Sequence, residues 1–190
     1  MKNLEIEFKY RADDISLSKF GDFCAGFNPT KHVLAAGYDY FYEKAGDADS
    51  FCRLRVGPDA NQLTFKRKTN DANNFIRTEH NIDLKPNMTK DQIEALVLEF
   101  GYKYNTSLYK SCFIYEYDSY IFVYYIVYDA DMKELGRFIE VEMDEHYNWA
   151  DEADAYNYLL VLEKLLKPLG ISPANRVKRS LFELFRKESK

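Results

Sequence analysis

Leu4-Glu5-Ile6-Glu7-Phe8-Lys9-Tyr10-Arg11 alternates without a break, apolar at even positions and charged at odd ones. A strand sends successive side chains to opposite faces, so Glu5, Glu7, Lys9 and Arg11 share one face. Two carboxylates followed by an ammonium at two-residue spacing can hold a divalent cation and an anionic oxygen side by side. Taken alone, the stretch reads more simply as a half-buried strand with its charged face in water. What the other strands carry decides between these readings.

Moving outward, the same mixed alternation recurs. Arg53 and Arg55 share a face in 51–56, and Lys66 falls in 62–68, with Gly57-Pro58-Asp59 between them as the turn of an antiparallel hairpin. Arg77, Glu79, Asn81 and Asp83 share a face in 75–84. Residues 38–42 are strand-like, and three aromatic-rich strands are expected at 108–117, 121–129 and 138–143, with a turn around Lys133-Glu134-Leu135-Gly136. In the last of these, Glu140 and Glu142 alternate with Ile139, Val141 and Met143. Helical spacing predicts a short helix between Asp13 and Cys24, one opened by the capping box Thr89-x-x-Gln92 and stopped by Gly101, a long one over 151–167, and a terminal one over 175–184. With no repeat, linker or low-complexity stretch, residues 1–190 read as one α+β domain.

Composition narrows the function classes. The chain has 190 residues, 46% hydrophobic and 30% charged, which fits a globular fold with a real core. A net charge of −5 gives no field attracting nucleic acid or an anionic membrane, so neither is expected as a partner. Cys24, Cys52 and Cys112 show neither zinc spacing nor a disulfide framework. The N-terminus lacks signal-peptide character and no apolar run approaches ~20 residues, so a cytoplasmic location is expected. His32, His80 and His146 are scattered and read as structural or surface residues.

Roughly eight antiparallel strands make a sheet long enough to curl or close. If the apolar faces pack outward against helices, the charged faces line the interior of a closed antiparallel β-barrel. Glu5, Glu7, Lys9, Arg53, Arg55, Lys66, Arg77, Glu79, Lys110, Glu140 and Glu142 would then share one lumen. So many enclosed charges are untenable unless a ligand and a metal compensate them. The acids suit Mg2+ or Mn2+, and the guanidinium and ammonium groups suit a polyanion such as a phosphoanhydride chain.

In order along nearly the whole chain, these residues resemble the CYTH family, the triphosphate tunnel metalloenzymes. Glu5, Glu7 and Lys9 match E-x-E-x-K. Asp39-Tyr40-Phe41-Tyr42 resembles the D-x-Y-F element with shifted spacing, and Arg53-Leu54-Arg55 matches L-R-x-R. Lys66 stands where the family has a phosphate-binding lysine, and Arg77 and Glu79 fit R-x-E. Leu135-Gly136-Arg137-Phe138-Ile139-Glu140-Val141-Glu142 matches L-G-x-F-x-E-x-E, and Arg179-Ser180-Leu181 resembles a basic-Ser-Tyr element. The chain departs from the pattern at Lys110-Ser111-Cys112, where a second base is usual, and at Asn81, where many members have an acid. The acid usually found before the L-G element is Asp129 or Asp131.

The resemblance implies an eight-stranded antiparallel tunnel with flanking helices and a small-molecule triphosphate threaded through it. Lys9, Arg53, Arg55, Lys66, Arg77, Lys110 and Arg179 would contact phosphate. Glu5, Glu7, Glu140, Glu142 and Asp129 would hold Mg2+ or Mn2+, and Glu5 or Glu79 would orient an attacking water. The implied activity is metal-dependent hydrolysis of an inorganic, nucleoside or thiamine triphosphate. The alternatives are class IV adenylate cyclase activity, releasing cyclic AMP and pyrophosphate, and a non-catalytic nucleotide- or polyphosphate-binding module. The terminal helix is expected to cover a barrel flank or to make a homodimer contact.

Overall fold

The alternation of the sheet-forming segments is realised as a closed barrel. The computed structural model describes residues 4–58, 61–70, 75–85, 87–144 and 149–187. Its strands are β1 (Leu4–Arg11), β2 (Lys31–Lys44), β3 (Asp47–Val56), β4 (Asn61–Lys68), β5 (Ile76–Leu84), β6 (Tyr102–Glu116), β7 (Tyr120–Tyr128) and β8 (Glu134–Met143). All pairings are antiparallel, and the order β1-β5-β4-β3-β2-β6-β7-β8 closes on itself. The helices are α1 (Leu17–Ala25), α2 (Lys90–Glu99), α3 (Glu152–Leu165) and α4 (Leu181–Phe185). No helix among the described residues is long and apolar enough to cross a membrane.

Each helix begins at a side-chain cap. The Ser16, Thr89, Asp151 and Ser180 side chains accept from backbone N–H groups two or three positions into α1, α2, α3 and α4, and Gln92 and Glu183 complete capping boxes. Outside the barrel, Ile6, Phe8 and Tyr10 of β1 pack with Phe122, Tyr124, Ile139 and Val141 beneath Phe20 of α1 and Leu159 and Leu162 of α3. Leu54 and Leu63 pack under Ile93 and Val97 of α2.

Three boundaries differ from the sequence expectation. β2 and β6 are longer than expected because they pair from Lys31↔Glu116 to Lys44↔Tyr102, and the ladder carries the weakly patterned Ala35-Ala36-Gly37 along. At Gly37 a Cβ would lie 2.5 Å from the Val56 carbonyl oxygen, so only glycine permits that approach. The turn expected around Lys133-Glu134-Leu135-Gly136 lies earlier: the Asp129 carboxylate accepts from the N–H groups of Asp131 and Lys133, and β8 has begun by Glu134. The terminal helix starts at Leu181, not 175. Arg176 bridges Tyr10, and the Val177 N–H donates to the Lys9 carbonyl at 2.7 Å, so the backbone there is held extended against β1.

The terminal helix does not cover a flank of the barrel but enters one end of it. Leu181 and Phe182 of α4 are buried among Phe41, Phe51, Leu108, Val127 and Phe138, which point into the barrel. Glu183 is ion-paired to Lys68 at the end of β4 at 2.6 Å. Burial alone would raise the Glu183 carboxyl, but its bonds to Lys68 and Ser180 hold it at about 2. The helix therefore closes one end of the lumen, and among the described residues the other end is open.

Candidate active site

The period-two pattern of the strands meets at one cavity. A space of ≈ 300 Å³ inside the barrel is lined by six bases, Lys9, Arg53, Arg55, Lys66, Arg77 and Lys110. Seven acids face the same space: Glu5, Glu7, Asp39, Glu79, Glu116, Glu140 and Glu142. A second space of ≈ 300 Å³ continues it to the open mouth, sharing Glu5, Glu79, Glu116 and Glu142 with it and adding Asn81 and Asp144. The bases lie deeper, towards α4, and the mouth is acidic.

Most lumen charges are already paired. Lys9 bonds Glu7 and Glu140, each at 3.0 Å. Lys66 sits between Glu5 and Glu79, each at 2.5 Å. Arg55 grips Asp39 with both Nε and Nη2, at 2.7 and 3.0 Å. Against the upward push of burial, Arg55 and Arg53 hold the Asp39 carboxyl well below the usual range. Against the same push, Lys66 and Arg53 hold Glu79 at about 2, and Lys9, Lys110 and the Tyr125 hydroxyl hold Glu140 at about 2. Glu142 behaves oppositely. Burial, then Glu5, Glu7 and Glu79, push its carboxyl well above the usual range, and burial and Glu140 raise Glu7.

Two bases stand apart. Among the described residues, neither Arg53 nor Lys110 has an ion pair. Lys110 Nζ lies 4.0 Å from the Tyr125 ring centroid. Arg53 Nη2 donates to Thr64 Oγ1 at 2.9 Å, and its buried Nε has no hydrogen-bond partner. The Thr64 hydroxyl donates to Asn81 Oδ1 (2.8 Å), and the Asn81 amide donates to Glu79 Oε1 (2.8 Å). Asn81 is thus the donor that fixes Glu79, a role that an ionised carboxylate at that position could not fill.

The acids fit a hard divalent cation in chemistry: all their donors are oxygens, burial and neighbouring carboxylates raise Glu142 and Glu7, and the buried Glu5 Oε2 has no hydrogen-bond partner. Among the described residues no three His, Cys, Asp or Glu side chains are gathered closely enough to hold a metal ion, because Lys66 and Lys9 occupy the carboxylates between them.

Eleven of the candidate residues are thus brought together in the lumen. Two are not. Asp129 binds the backbone of its own turn, since β7 ends before it can point inward. Arg179 is solvent-exposed where the chain approaches α4, and its neighbour Ser180 faces the lumen instead. His32 stacks on Tyr115 outside the barrel, and His146 lies outside the described residues. Sequence reasoning matched Asp39 to a motif without giving it a role, and passed over Glu116 and Tyr125. Stepping by two from Lys110 through Cys112 and Ile114 reaches Glu116, whereas nothing in the aromatic run 120–128 singles out Tyr125.

The Asp39–Arg55 pair has a testable consequence for pH. The folded state depresses the Asp39 pKa, so the stabilisation is fully present above the unfolded value of about 4 and is lost as pH falls through and below it. Asp39→Asn is expected to flatten the dependence of unfolding free energy on pH below about 4. Urea unfolding across that range checks this, and identical slopes in the two proteins would remove Asp39 as a contributor.

Comparison with known proteins agrees on the fold. No family model matches the chain, and no curated protein matches it. Among solved structures, a protein of Pyrococcus horikoshii superimposes with TM-score 0.75 at 18% identity, over 95% of this chain and 98% of that one. A protein of Vibrio parahaemolyticus described as an adenylate cyclase candidate gives TM-score 0.68 at 18% identity, over 97% and 98%. The Mimivirus capping enzyme triphosphatase gives TM-score 0.54 at 12% identity, over 88% and 89%. The likeness is one of fold, a closed eight-stranded antiparallel barrel, and in this chain its interior carries charged residues.

Proposed function

We propose that the lumen binds a triphosphate together with a divalent cation and hydrolyses its terminal phosphoanhydride bond. The observation that carries this reading is a cluster of bases in which, among the described residues, Arg53 and Lys110 have no ion pair and the buried Arg53 Nε has no hydrogen-bond partner. An anion must satisfy such groups, and a phosphate chain offers oxygens on every side. Arg53, Lys110 and Arg77 would take phosphate oxygens, with Lys9, Arg55 and Lys66 within the same cavity. Glu5, Glu7, Glu140 and Glu142 would hold Mg2+ or Mn2+, which when bound neutralises phosphate charge and polarises the phosphorus centre.

Glu79 is ionised, held by Asn81 and Lys66, and shared between the cavity and its mouth. It suits the role of orienting the attacking water through a hydrogen bond, while the water's protons leave on the orthophosphate. The water oxygen bonds to the terminal phosphorus, the bridging P–O bond breaks, and orthophosphate and the diphosphate leave. Positioning and charge neutralisation supply most of what such a transfer needs.

The Vibrio parahaemolyticus neighbour motivates a second reading, cyclisation of ATP by attack of the ribose 3′-hydroxyl on the α-phosphate. The products separate the two. Incubated with Mg2+ or Mn2+ and tripolyphosphate, thiamine triphosphate or ATP, the purified protein is expected to release orthophosphate, and chelation to stop it. Cyclic AMP with pyrophosphate would replace hydrolysis by cyclisation. Tight binding without product would reduce the lumen to a binding module.

A further inference from the structure

The seam between β2 and β3 is paired along only half of β2. Residues 38–44 pair with β3 on one side and β6 on the other, whereas residues 31–37 pair with β6 alone. The β3–β4 hairpin ends at that level: Tyr38 opposes Val56, and Gly37 lies against the Val56 carbonyl. Among the described residues, no backbone hydrogen bond outside the β6 ladder reaches 31–37. Along that stretch β2 therefore keeps an edge of unpaired N–H and C=O groups, which water or another strand edge must satisfy.

Exposed edges are ordinarily guarded by charged side chains, by Pro or by a bulge. This one is not. Val33-Leu34-Ala35-Ala36-Gly37-Tyr38 carries neither charge nor Pro, and the irregularity in the β2–β6 ladder falls beyond it, between Phe41 and Tyr42. Lys31, at the start of the stretch, is turned to Glu116 of β6 at 3.0 Å. Leu34 is 64% exposed, more than any other large apolar side chain among the described residues. The outer sheet face beside it is aromatic: Tyr38 packs edge-on against Tyr109, with ring centroids 5.1 Å apart, and Tyr109 lies 6.1 Å from Tyr128. Leu34, Tyr38 and Tyr109 belong to none of the buried clusters beneath the helices.

We infer that residues 31–37 of β2 form a homodimer interface, in which this edge pairs antiparallel with the same edge of a second copy. An antiparallel edge is its own complement under a two-fold axis. The midpoint of the free stretch is Leu34, so an axis there uses the whole of it. Leu34 then faces its own copy and loses its exposure, Val33 faces Ala35, and Lys31 falls opposite Gly37. No two like charges meet. A second copy is favoured over a foreign strand because the most exposed apolar side chain sits at the centre of the free stretch and its one charge falls opposite a glycine. The joined sheet runs through both barrels, with Tyr38 and Tyr109 flanking the seam, in keeping with the enrichment of aromatic residues at interfaces. The inference makes no use of the lumen chemistry and stands or falls apart from it.

Sedimentation of the full chain across a concentration series tests this. A dimer is expected in the micromolar range. Leu34→Lys puts two ammonium groups at the axis and should raise the dissociation constant at least about tenfold, whereas Leu34→Ile, apolar and well suited to a strand, should leave the dimer in place. Circular dichroism checks that both variants are folded. Leu34→Cys locates the contact: directly opposed residues of an antiparallel pair are within disulfide reach, so mild oxidation should give a covalent dimer. Val161→Cys, on the exposed side of α3 at 50% exposure, should not. A monomer for the unsubstituted protein throughout the series overturns the inference, as does a dimer that Leu34→Lys leaves unchanged. If Leu34→Lys fails to fold, the cross-link decides, and equal cross-linking at 34 and 161 overturns the interface.

Discussion

Arg53→Met is expected to lower triphosphate turnover at least about 100-fold while leaving the fold intact. Arg53 is the base best placed to be missed by substrate alone. It has no ion pair among the described residues, its Nη2 donates to the neutral Thr64 hydroxyl, and its Nε is buried without a partner. Removing it breaks no ion pair among the described residues, and Glu79 keeps Lys66 while Asp39 keeps Arg55, so no buried carboxylate loses its nearest base. What disappears is a charge-assisted contact to phosphate oxygens in an enclosed site, about 3 kcal/mol in the transition state. Arg53→Lys keeps the charge but loses the fork, and should recover only part of the rate. Arg179→Ala, outside the lumen, should stay within about twofold of the unsubstituted protein. Phosphate release under saturating Mg2+, with melting temperatures of all three variants, checks the set. Near-normal rates for Arg53→Met, or an equal loss for Arg179→Ala, would show that phosphate is not handled where the cavity lies.

The largest effect on stability is expected outside the barrel. Glu163 of α3 is 6% exposed and accepts from Arg176 Nε and Nη2 at 2.6 and 2.5 Å and from the Tyr10 hydroxyl at 2.9 Å. The Arg176 guanidinium also lies 4.0 Å over the Phe8 ring. Arg176→Met leaves the Glu163 charge buried with one neutral donor, which costs about 3–5 kcal/mol. For a domain of this size that corresponds to a melting temperature lower by roughly 6–12 °C. Glu163→Gln added to Arg176→Met removes the stranded charge and still accepts from Tyr10, so more than half of the loss should return. Calorimetry of the single and double variants decides this. A drop below about 2 °C for Arg176→Met would place the pair with weak surface ion pairs.

Much of the barrel is legible because strand alternation is a local property. Leu4–Arg11 has Ile6, Phe8 and Tyr10 on the outer wall and Glu5, Glu7 and Lys9 in the lumen, with the same bounds in the structure as in the pattern, while Arg11 is exposed and bonds Asp13. Arg53, Arg55, Lys66, Arg77, Glu79, Glu140 and Glu142 follow by the same two-residue step. Helix starts are legible through caps, as at Thr89 and Gln92. Segments whose conformation depends on a distant partner are not. Residues 31–37 become strand only because β6 lies alongside, and 176–177 stay extended only because β1 captures them. Asp129 shows the limit from another side: one residue of shift at a strand end turns a lumen ligand into a turn residue.

Periodicity and charge type established that mixed acids and bases share faces across many strands, and hence that a polyanion and a cation are the chemistry to look for. The closure of the sheet decided the rest. Only the closed barrel sets Lys66 between Glu5 and Glu79, leaves Arg53 and Lys110 without an ion pair among the described residues, and brings the Thr64–Asn81–Glu79 hydrogen-bond chain into the lumen. Only the closed barrel also brings α4 into one end, where Leu181 and Phe182 pack among Phe41, Phe51 and Phe138. These are relations between residues far apart in the chain, and a strand's own pattern carries which face a side chain takes but not which side chain it will meet across the lumen.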